Sequence, residues 1–161
     1  RLLPEPYEPL FGTLIHAFRN AVDHGIETPD IRQERGKPEQ GRIEVRFLRE
    51  DSKFILQIQD DGGGIDPARI RAKLDKLGVN HALESDDQVI QHIFDSQFST
   101  RDEVTDLSGR GVGMDAIASA ARELGGTVSV TSKLGEGTIL SVVVPWIQET
   151  GKTPTHLNQA A

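Results

Sequence analysis

The sequence predicts an α+β fold, a two-layer α/β sandwich with helices on one face of a mixed, mostly antiparallel sheet. Three observations predict it. Residues 42–48 and 54–59 alternate apolar and polar, residues 127–132 and 139–144 also read as strands, and short polar or glycine-rich connections join each pair into a hairpin. Amphipathic segments lie before and between the hairpins and do not follow each strand, which excludes a doubly wound parallel sheet. The chain has 161 residues, enough for one domain with a sizeable core.

Residues 1–9 hold three prolines and read as an extended lead-in. The first helix starts near residues 8–10, where Pro9 is tolerable in the first turn. The chain is organised around residues 14–27, LIHAFRNAVDHGIE. At about 100° per residue, His16, Asn20, Asp23 and His24 share one face, while Phe11, Leu14, Phe18 and Val22 share the other. An ordinary surface helix would present Lys and Glu where this one presents an amide, a carboxylate and two imidazoles. Asn is a poor helix former and needs a reason to sit there. A buried polar network and a ligand site both supply one. Gly25 reads as the C-cap. Residues 29–35 predict a short helix with Thr28 as its cap and Gly36 at its stop.

Residues 42–48 place Ile43, Val45 and Phe47 on one face, and residues 54–59 turn Phe54, Leu56 and Ile58 inward. The second strand runs into Asp60-Asp61-Gly62-Gly63-Gly64. Asp66 then caps a helix that starts at Pro67 and reaches about Leu77 before Gly78. Residues 86–94 predict one helix with Val89, Ile90 and Ile93 as its apolar side. Residues 96–113 are polar and glycine-punctuated, the pattern of a functional lid. Residues 114–124 form a helix, and Pro145 ends the last strand. A domain over residues 1–147 is followed by a polar tail, 148–161, expected to be disordered.

Net charge is −7, which argues against nucleic-acid binding, and there is no cysteine for a disulfide, thiolate metal site or thiol nucleophile. No apolar run reaches the roughly 18 residues of a spanning helix, and a signal peptide is not expected. Direct membrane insertion is not expected, and a cytoplasmic location is. The chain starts at Arg1 without a methionine, as an excised piece of a longer protein would.

Two glycine clusters carry chemistry. At 60–64 the glycines let backbone approach a ligand closely, and a carboxylate at a strand end can accept from an exocyclic amine. At 109–113, Gly-Arg-Gly-Val-Gly leads into a helix N-terminus, where backbone N–H groups and the helix dipole favour an anion. It is neither a Walker loop nor a dinucleotide fingerprint, because the Gly-Lys-Ser/Thr and the acidic residue of those motifs are missing. A glycine hinge and an acidic turn are the plain alternatives.

Together these pieces resemble the ATP-binding domain of histidine kinases, in the superfamily that includes gyrase B subunits and MutL proteins. That family carries an N box, three glycine boxes and an F box, which fall here at 16–27, 60–64, 109–113, 135–138 and 94–99. The stretches HAFRNAVDHGIE, RGKPEQGRI and FSTRDEVTDLSGRGVGMD are similar to the chemotaxis kinases of that family, and the likeness runs from about residue 10 to 145.

The resemblance implies a Bergerat-type fold with an ATP lid, and ATP and Mg²⁺ as ligands. Asp60 would take the adenine amino group, with Thr138 and a water assisting. Asn20 would hold Mg²⁺, and His16 one turn earlier would join it, the pair serving as catalytic residues. Mg²⁺ keeps several waters and leans on phosphates, so one amide oxygen suffices. Gly109, Gly111 and Gly113 would wrap the phosphates, with Arg19, His24 and Ser108 as donors. Gly62 and Gly64 would bring backbone close to the base. The implied ATP contacts also take in Asp23, Ile65, Phe98 and Ser99, and around the lid Arg110, Val112 and Met114.

The implied activity is transfer of the ATP γ-phosphoryl group to a histidine on a separate phosphotransfer domain, with a response regulator downstream. Of the five histidines, His16 and His24 would face the phosphates from the organising helix, where in-line attack is not expected, His81 and His92 lack the helical setting of an acceptor, and His156 lies in the tail. The chain is therefore expected to be a catalytic core apart from its acceptor, dimerisation and receptor-coupling modules. A nucleotide-gated ATPase and a binding-only regulatory module of the same superfamily are the alternatives.

Overall fold

The computed structural model describes residues 3–99 and 113–148. A 3₁₀ turn, Glu5–Tyr7, leads into helix α1, Glu8–Asn20, which continues as a π-helical turn, Ala21–Gly25. Helix α2, Pro29–Glu34, connects to strands β1, Ile43–Glu50, and β2, Lys53–Asp60. Helix α3, Pro67–Leu77, and helix α4, Asp86–Val89, follow; a 3₁₀ segment, Ile90–Phe94, then leads to helix α5, Ser96–Ser99. Helix α6, Met114–Glu123, and strands β3, Thr127–Lys133, and β4, Gly137–Pro145, complete the described elements.

The strands form one sheet in the order β1-β2-β4-β3, with every pairing antiparallel. The expected hairpins are both present, and each contributes one central strand. Because β2 and β4 run in opposite directions, the sheet has no parallel pair among the described residues, where a mixed sheet was expected. Phe54, Leu56 and Ile58 of β2 pair with Val144, Val142 and Leu140 of β4, and all six are buried. Helices α1 and α6 cover this face through Leu10, Leu14, Ala17, Ile117, Ala118 and Ala121. Fully burying a leucine-sized side chain contributes about 1.5–3 kcal/mol, so this layer supplies most of the stabilisation. Ile70, Leu74 and Val89 make a second, smaller cluster under α3.

Several local expectations hold to the residue. Asp66 Oδ1 accepts from Ala68 N at 2.9 Å, Pro67 opens α3, and Gly78 closes it in the left-handed region. Others are corrected. The lead-in is not extended: Tyr7 is fully buried, its hydroxyl donating to the Pro145 carbonyl and accepting from the Ile147 N–H, both at 2.7 Å. The buried stripe of the first helix is Leu10, Leu14, Ala17 and Ala21, while Phe11 and Phe18 are half-buried and Val22 is 59% exposed. Small alanines let the helix lie close to its neighbours, and the π turn swings Val22 outward.

Gly25 does not cap in the left-handed region; Ile26, in extended backbone, ends the turn by donating its N–H to Ala21 O at 2.7 Å. Thr28 occupies the cap position of α2 without a side-chain hydrogen bond. Phe47 is 60% exposed because β1 is an edge strand beyond the reach of the helices. Residues 86–94 are not one α-helix. After a Ser85–Gln88 capping box the chain tightens to 3₁₀ at Ile90, which lets Gln91 pair with both backbone groups of Val130. That side chain covers the outer edge of β3. The tail expected to be disordered lies, from residue 149, outside the described residues.

Candidate functional site

Strand β2 ends on Asp60, opposite Thr138 in the register of β4. The side chain is 8% exposed. Gly62 donates its N–H to Asp60 Oδ1 at 2.9 Å, within a carboxylate's capacity of roughly four lone-pair sites. Burial pushes the Asp60 carboxyl above the usual carboxylate range, and the Asp61 charge adds to this. The backbone N–H groups of Gly62 and Thr138, and the Lys37 ammonium, pull it back down. Asp60 is thus a desolvated carboxyl held in a fixed orientation, with acceptor capacity remaining.

The glycines following it are there because backbone occupies the space of a side chain. A Cβ on Gly62 would sit 2.1 Å from the Gly25 carbonyl oxygen and 2.8 Å from Asp60 Oδ1. Gly63 donates to Gly25 O at 2.7 Å and accepts from Gly135 N at 2.7 Å. Gly64 has a φ of +73° and lies against the Lys133 carbonyl. A Cβ on Gly137 would fall 2.0 Å from the Asp60 carbonyl oxygen. Ile65 N donates to Ser132 Oγ at 2.8 Å, and that hydroxyl lies 3.0 Å from Thr138 Oγ1. The 60–65 turn is therefore stitched between the end of the organising helix and the β3–β4 hairpin. Thr138 reaches it through Ser132, a residue the sequence reading passed over.

On the helix side, a Cβ on Gly25 would sit 3.6 Å from the Asp60 carboxyl and 3.6 Å from the backbone carbonyl oxygen of Asn20. Gly25, at the end of the π turn that follows Asn20, thus lies beside Asp60. His16 and Asn20 are half-buried one turn apart, whereas Arg19, Asp23 and His24 are exposed. The π turn breaks the ideal periodicity after Asn20, so the four polar residues do not form one uniform face. Insertions of this kind are frequent at functional sites. No group of three or more His, Cys, Asp or Glu that could hold a metal occurs among the described residues. A cation beside Asn20 would have to take most of its ligands from bound phosphate and water, the habit of Mg²⁺. One amide oxygen and one imidazole fit that need.

A second group behind the turn was missed entirely. Arg32 is fully buried, and its guanidinium donates to Pro38 O at 2.7 Å, to Asp61 O at 3.2 Å and to Asp61 Oδ2 at 2.9 Å. It also pairs with Glu27, as do Arg35 and Lys37. Burial would raise the Glu27 and Asp61 carboxyls. Hydrogen bonds from Lys37 to Glu27, and from the Arg42 backbone and the Arg32 guanidinium to Asp61, outweigh it and hold both below the usual range. The signal in the sequence is the run of cations Arg32, Arg35, Lys37 and Arg42 close to Glu27 and to Asp61.

The remaining site residues fall elsewhere. Phe98 is half-buried beside α3, 4.3 Å beneath the Lys73 ammonium, and does not join the Asp60 group. Gly113 precedes α6 with its N–H donating to Asp115 Oδ1 at 3.1 Å, and Met114 packs on the main core. Ser108, Gly109, Arg110, Gly111 and Val112 lie outside the described residues, as does the side chain of Ser99 and most of the expected lid. A cleft of about 510 Å³ lies between α3, α5 and α6, lined by Leu74, Phe98, Asp115 and Arg122 among others. It contains neither Asn20 nor Asp60.

The model of the family described as histidine kinase-, DNA gyrase B- and HSP90-like ATPase matches residues 11–148. The chain belongs to that ATPase family. Within it, the chain is similar to the chemotaxis proteins named CheA. It is 45% identical over 136 residues to the chemotaxis protein CheA of Halobacterium salinarum, covering 82% of this chain and 20% of that protein. It is equally, 45%, identical over 136 residues to the gliding motility regulatory protein of Myxococcus xanthus, covering 82% of this chain and 18% of that one. The chain thus spans only about a fifth of those relatives. The blue-light activated histidine kinase of Erythrobacter litoralis EL346 shares the fold, with a TM-score of 0.51 at 16% identity, over 92% of this chain and 33% of that one.

Proposed function

We propose that this chain is the ATP-binding catalytic core of a CheA-like protein-histidine kinase. The buried Asp60 carboxylate at the end of a central strand, beside Gly25 at the end of the turn that follows Asn20, carries the reading. Asp60 accepts a hydrogen bond from the adenine amino group, with Thr138 beside it. Gly62 and Gly64 let the backbone close on the base. Asn20, with His16, would supply the protein's ligands to a Mg²⁺ ion, and that ion would supply charge neutralisation for phosphoryl transfer.

Phosphoryl transfer asks mainly for positioning and charge neutralisation, so the chain supplies no nucleophile. The acceptor is a histidine on a separate phosphotransfer domain, and a response regulator takes the phosphoryl group onward. His81 is engaged with Asp75, and His92 with Glu84 and Asp95, which suits neither to act as the acceptor. Similarity to CheA over most of this chain supports the assignment.

The test is labelled ATP and Mg²⁺ with the chain alone, and with a CheA-type phosphotransfer domain added. Acid-labile phosphate should appear on the added domain and not on this chain. Asn20→Ala should remove that transfer while keeping much of the nucleotide affinity. Robust self-labelling, or equal Mg²⁺ dependence in the Asn20 variant, refutes the corresponding part.

A further inference from the structure

Between α1 and β1 the chain buries cations against the turn that carries Asp60. The Lys37 side chain is 16% exposed and Arg32 is fully buried. The Lys37 ammonium donates to Asp61 O at 2.8 Å, to Gly62 O at 2.7 Å and to Glu27 Oε1 at 2.9 Å. Arg32 adds a hydrogen bond to the same Asp61 carbonyl at 3.2 Å. The peptide unit joining residues 61 and 62 thus has two cations on its oxygen. Its other end, the Gly62 N–H, is on Asp60 Oδ1 at 2.9 Å.

A peptide unit is planar, so its oxygen and its N–H cannot be reoriented separately. Fixing the Asp61 oxygen fixes the donor that orients the Asp60 carboxylate. Cations on the oxygen also polarise the unit and strengthen its N–H as a donor. Arg32 and the Arg42 N–H meanwhile occupy both oxygens of the Asp61 carboxylate, which is thereby engaged away from its neighbour. Filling Glu27 does not explain Lys37, because Arg32 and Arg35 already serve that carboxylate.

We propose that Lys37, backed by Arg32, is a positioning residue of the nucleotide site, clamping the 61–62 peptide so that Asp60 is held facing the base. This rests on reading Asp60 as the adenine acceptor. A purely structural lysine would tie α2 to the sheet and leave Asp60 indifferent to its replacement.

The experiment compares wild type, Lys37→Met and Lys37→Arg by backbone amide NMR of the free protein and by calorimetry with a non-hydrolysable ATP analogue and Mg²⁺. Lys37→Met should move the Gly62 amide proton upfield as its bond to Asp60 loosens, and weaken analogue binding about tenfold, the effect of losing one charge-assisted contact. Lys37→Arg, which keeps charge and donors, should recover most of both. If Lys37→Met does not fold, Lys37→Gln makes the same comparison. An unmoved Gly62 resonance with unchanged affinity in the folded variant overturns the proposal, as does Lys37→Arg losing as much as Lys37→Met. If wild type binds no analogue while Gly62 still responds to Lys37→Met, the nucleotide reading fails and the clamp on the turn stands.

Discussion

Replacing Asp60 by asparagine should remove nucleotide binding while leaving the fold at neutral pH as stable as before, or more so. The carboxyl is buried, and its pKa is raised first by desolvation and then by the Asp61 charge. A group whose folded pKa lies above its unfolded value, here 3.8, contributes stability that is fully present below that value. The contribution is lost as pH rises through the folded pKa, above which an ionised carboxylate sits in a site that disfavours it. The amide introduced by Asp60→Asn still offers an oxygen to the Gly62 N–H and cannot ionise. Exchanging a charge-assisted hydrogen bond for a neutral one costs about 1 kcal/mol, and relief from desolvation offsets it. Asp60→Ala differs, because the buried Gly62 N–H then has no acceptor, at about 1–3 kcal/mol, or about 2–4 °C per kcal/mol at this size. Urea unfolding followed by the fluorescence of Trp146, the only tryptophan, gives the free energies between pH 4 and 8. The wild-type advantage over Asp60→Asn should grow as pH falls. Glu27 and Asp61, whose lowered pKa values give stability that is lost as pH falls, are common to both proteins and cancel. Calorimetry should show analogue binding weakened at least about 100-fold, as for a site whose buried polar partner is mismatched. A variant less stable by more than about 2 kcal/mol at pH 7, with a difference that does not change with pH, would refute the reasoning about desolvation. Undiminished affinity would refute the placement of the base.

Gly62→Ala should cost about 1–3 kcal/mol or more by overpacking and abolish analogue binding, because its Cβ would lie 2.1 Å from a backbone oxygen. Gly78→Ala, at a φ of +71° with nothing within 4 Å, should cost only about 1–2 kcal/mol of backbone strain and spare binding, both read by urea melts and calorimetry. Tyr7→Phe should lose about 1–3 kcal/mol by thermal unfolding, because the Ile147 N–H and Pro145 carbonyl lose their shared partner. His92 is burdened by burial, yet hydrogen bonds to Asp95 and Glu84 outweigh this and raise its pKa above 6.5. Its stabilising contribution is therefore full below pH 6.5 and lost as pH rises through the folded value. The stability advantage of wild type over His92→Gln should shrink across that range; a constant gap in melts at pH 6 and 9 would contradict the ion-pair assignment.

Much was legible in the sequence wherever the deciding partner is close in the chain. The start and stop of α3 depend on Asp66, Pro67 and Gly78, each acting on backbone within one turn. The alternation of residues 54–58 declared the buried face of β2 without knowledge of what covers it. The position of Asp60 at a strand end, followed by glycines, was likewise visible. So was Asn20 as a residue without a helical reason to be there.

The sequence by itself thus determined the elements, the two hairpins and the family likeness, because propensity, period and capping are set by neighbours a few residues away. Tertiary structure decided the rest. Gly62 must be glycine because the carbonyl of Gly25, far earlier in the chain, occupies the place of its Cβ. Arg32, which no local pattern marks as buried, is the largest fully buried side chain among the described residues, because Asp61, Pro38 and Gln40 fold around it. Tyr7 is core and not lead-in, because the end of β4 returns to its hydroxyl. The π turn after Asn20 arises where the helix meets the 60–64 turn. Burial and close backbone approach are properties of pairs of distant segments, and no local pattern encodes which two will meet.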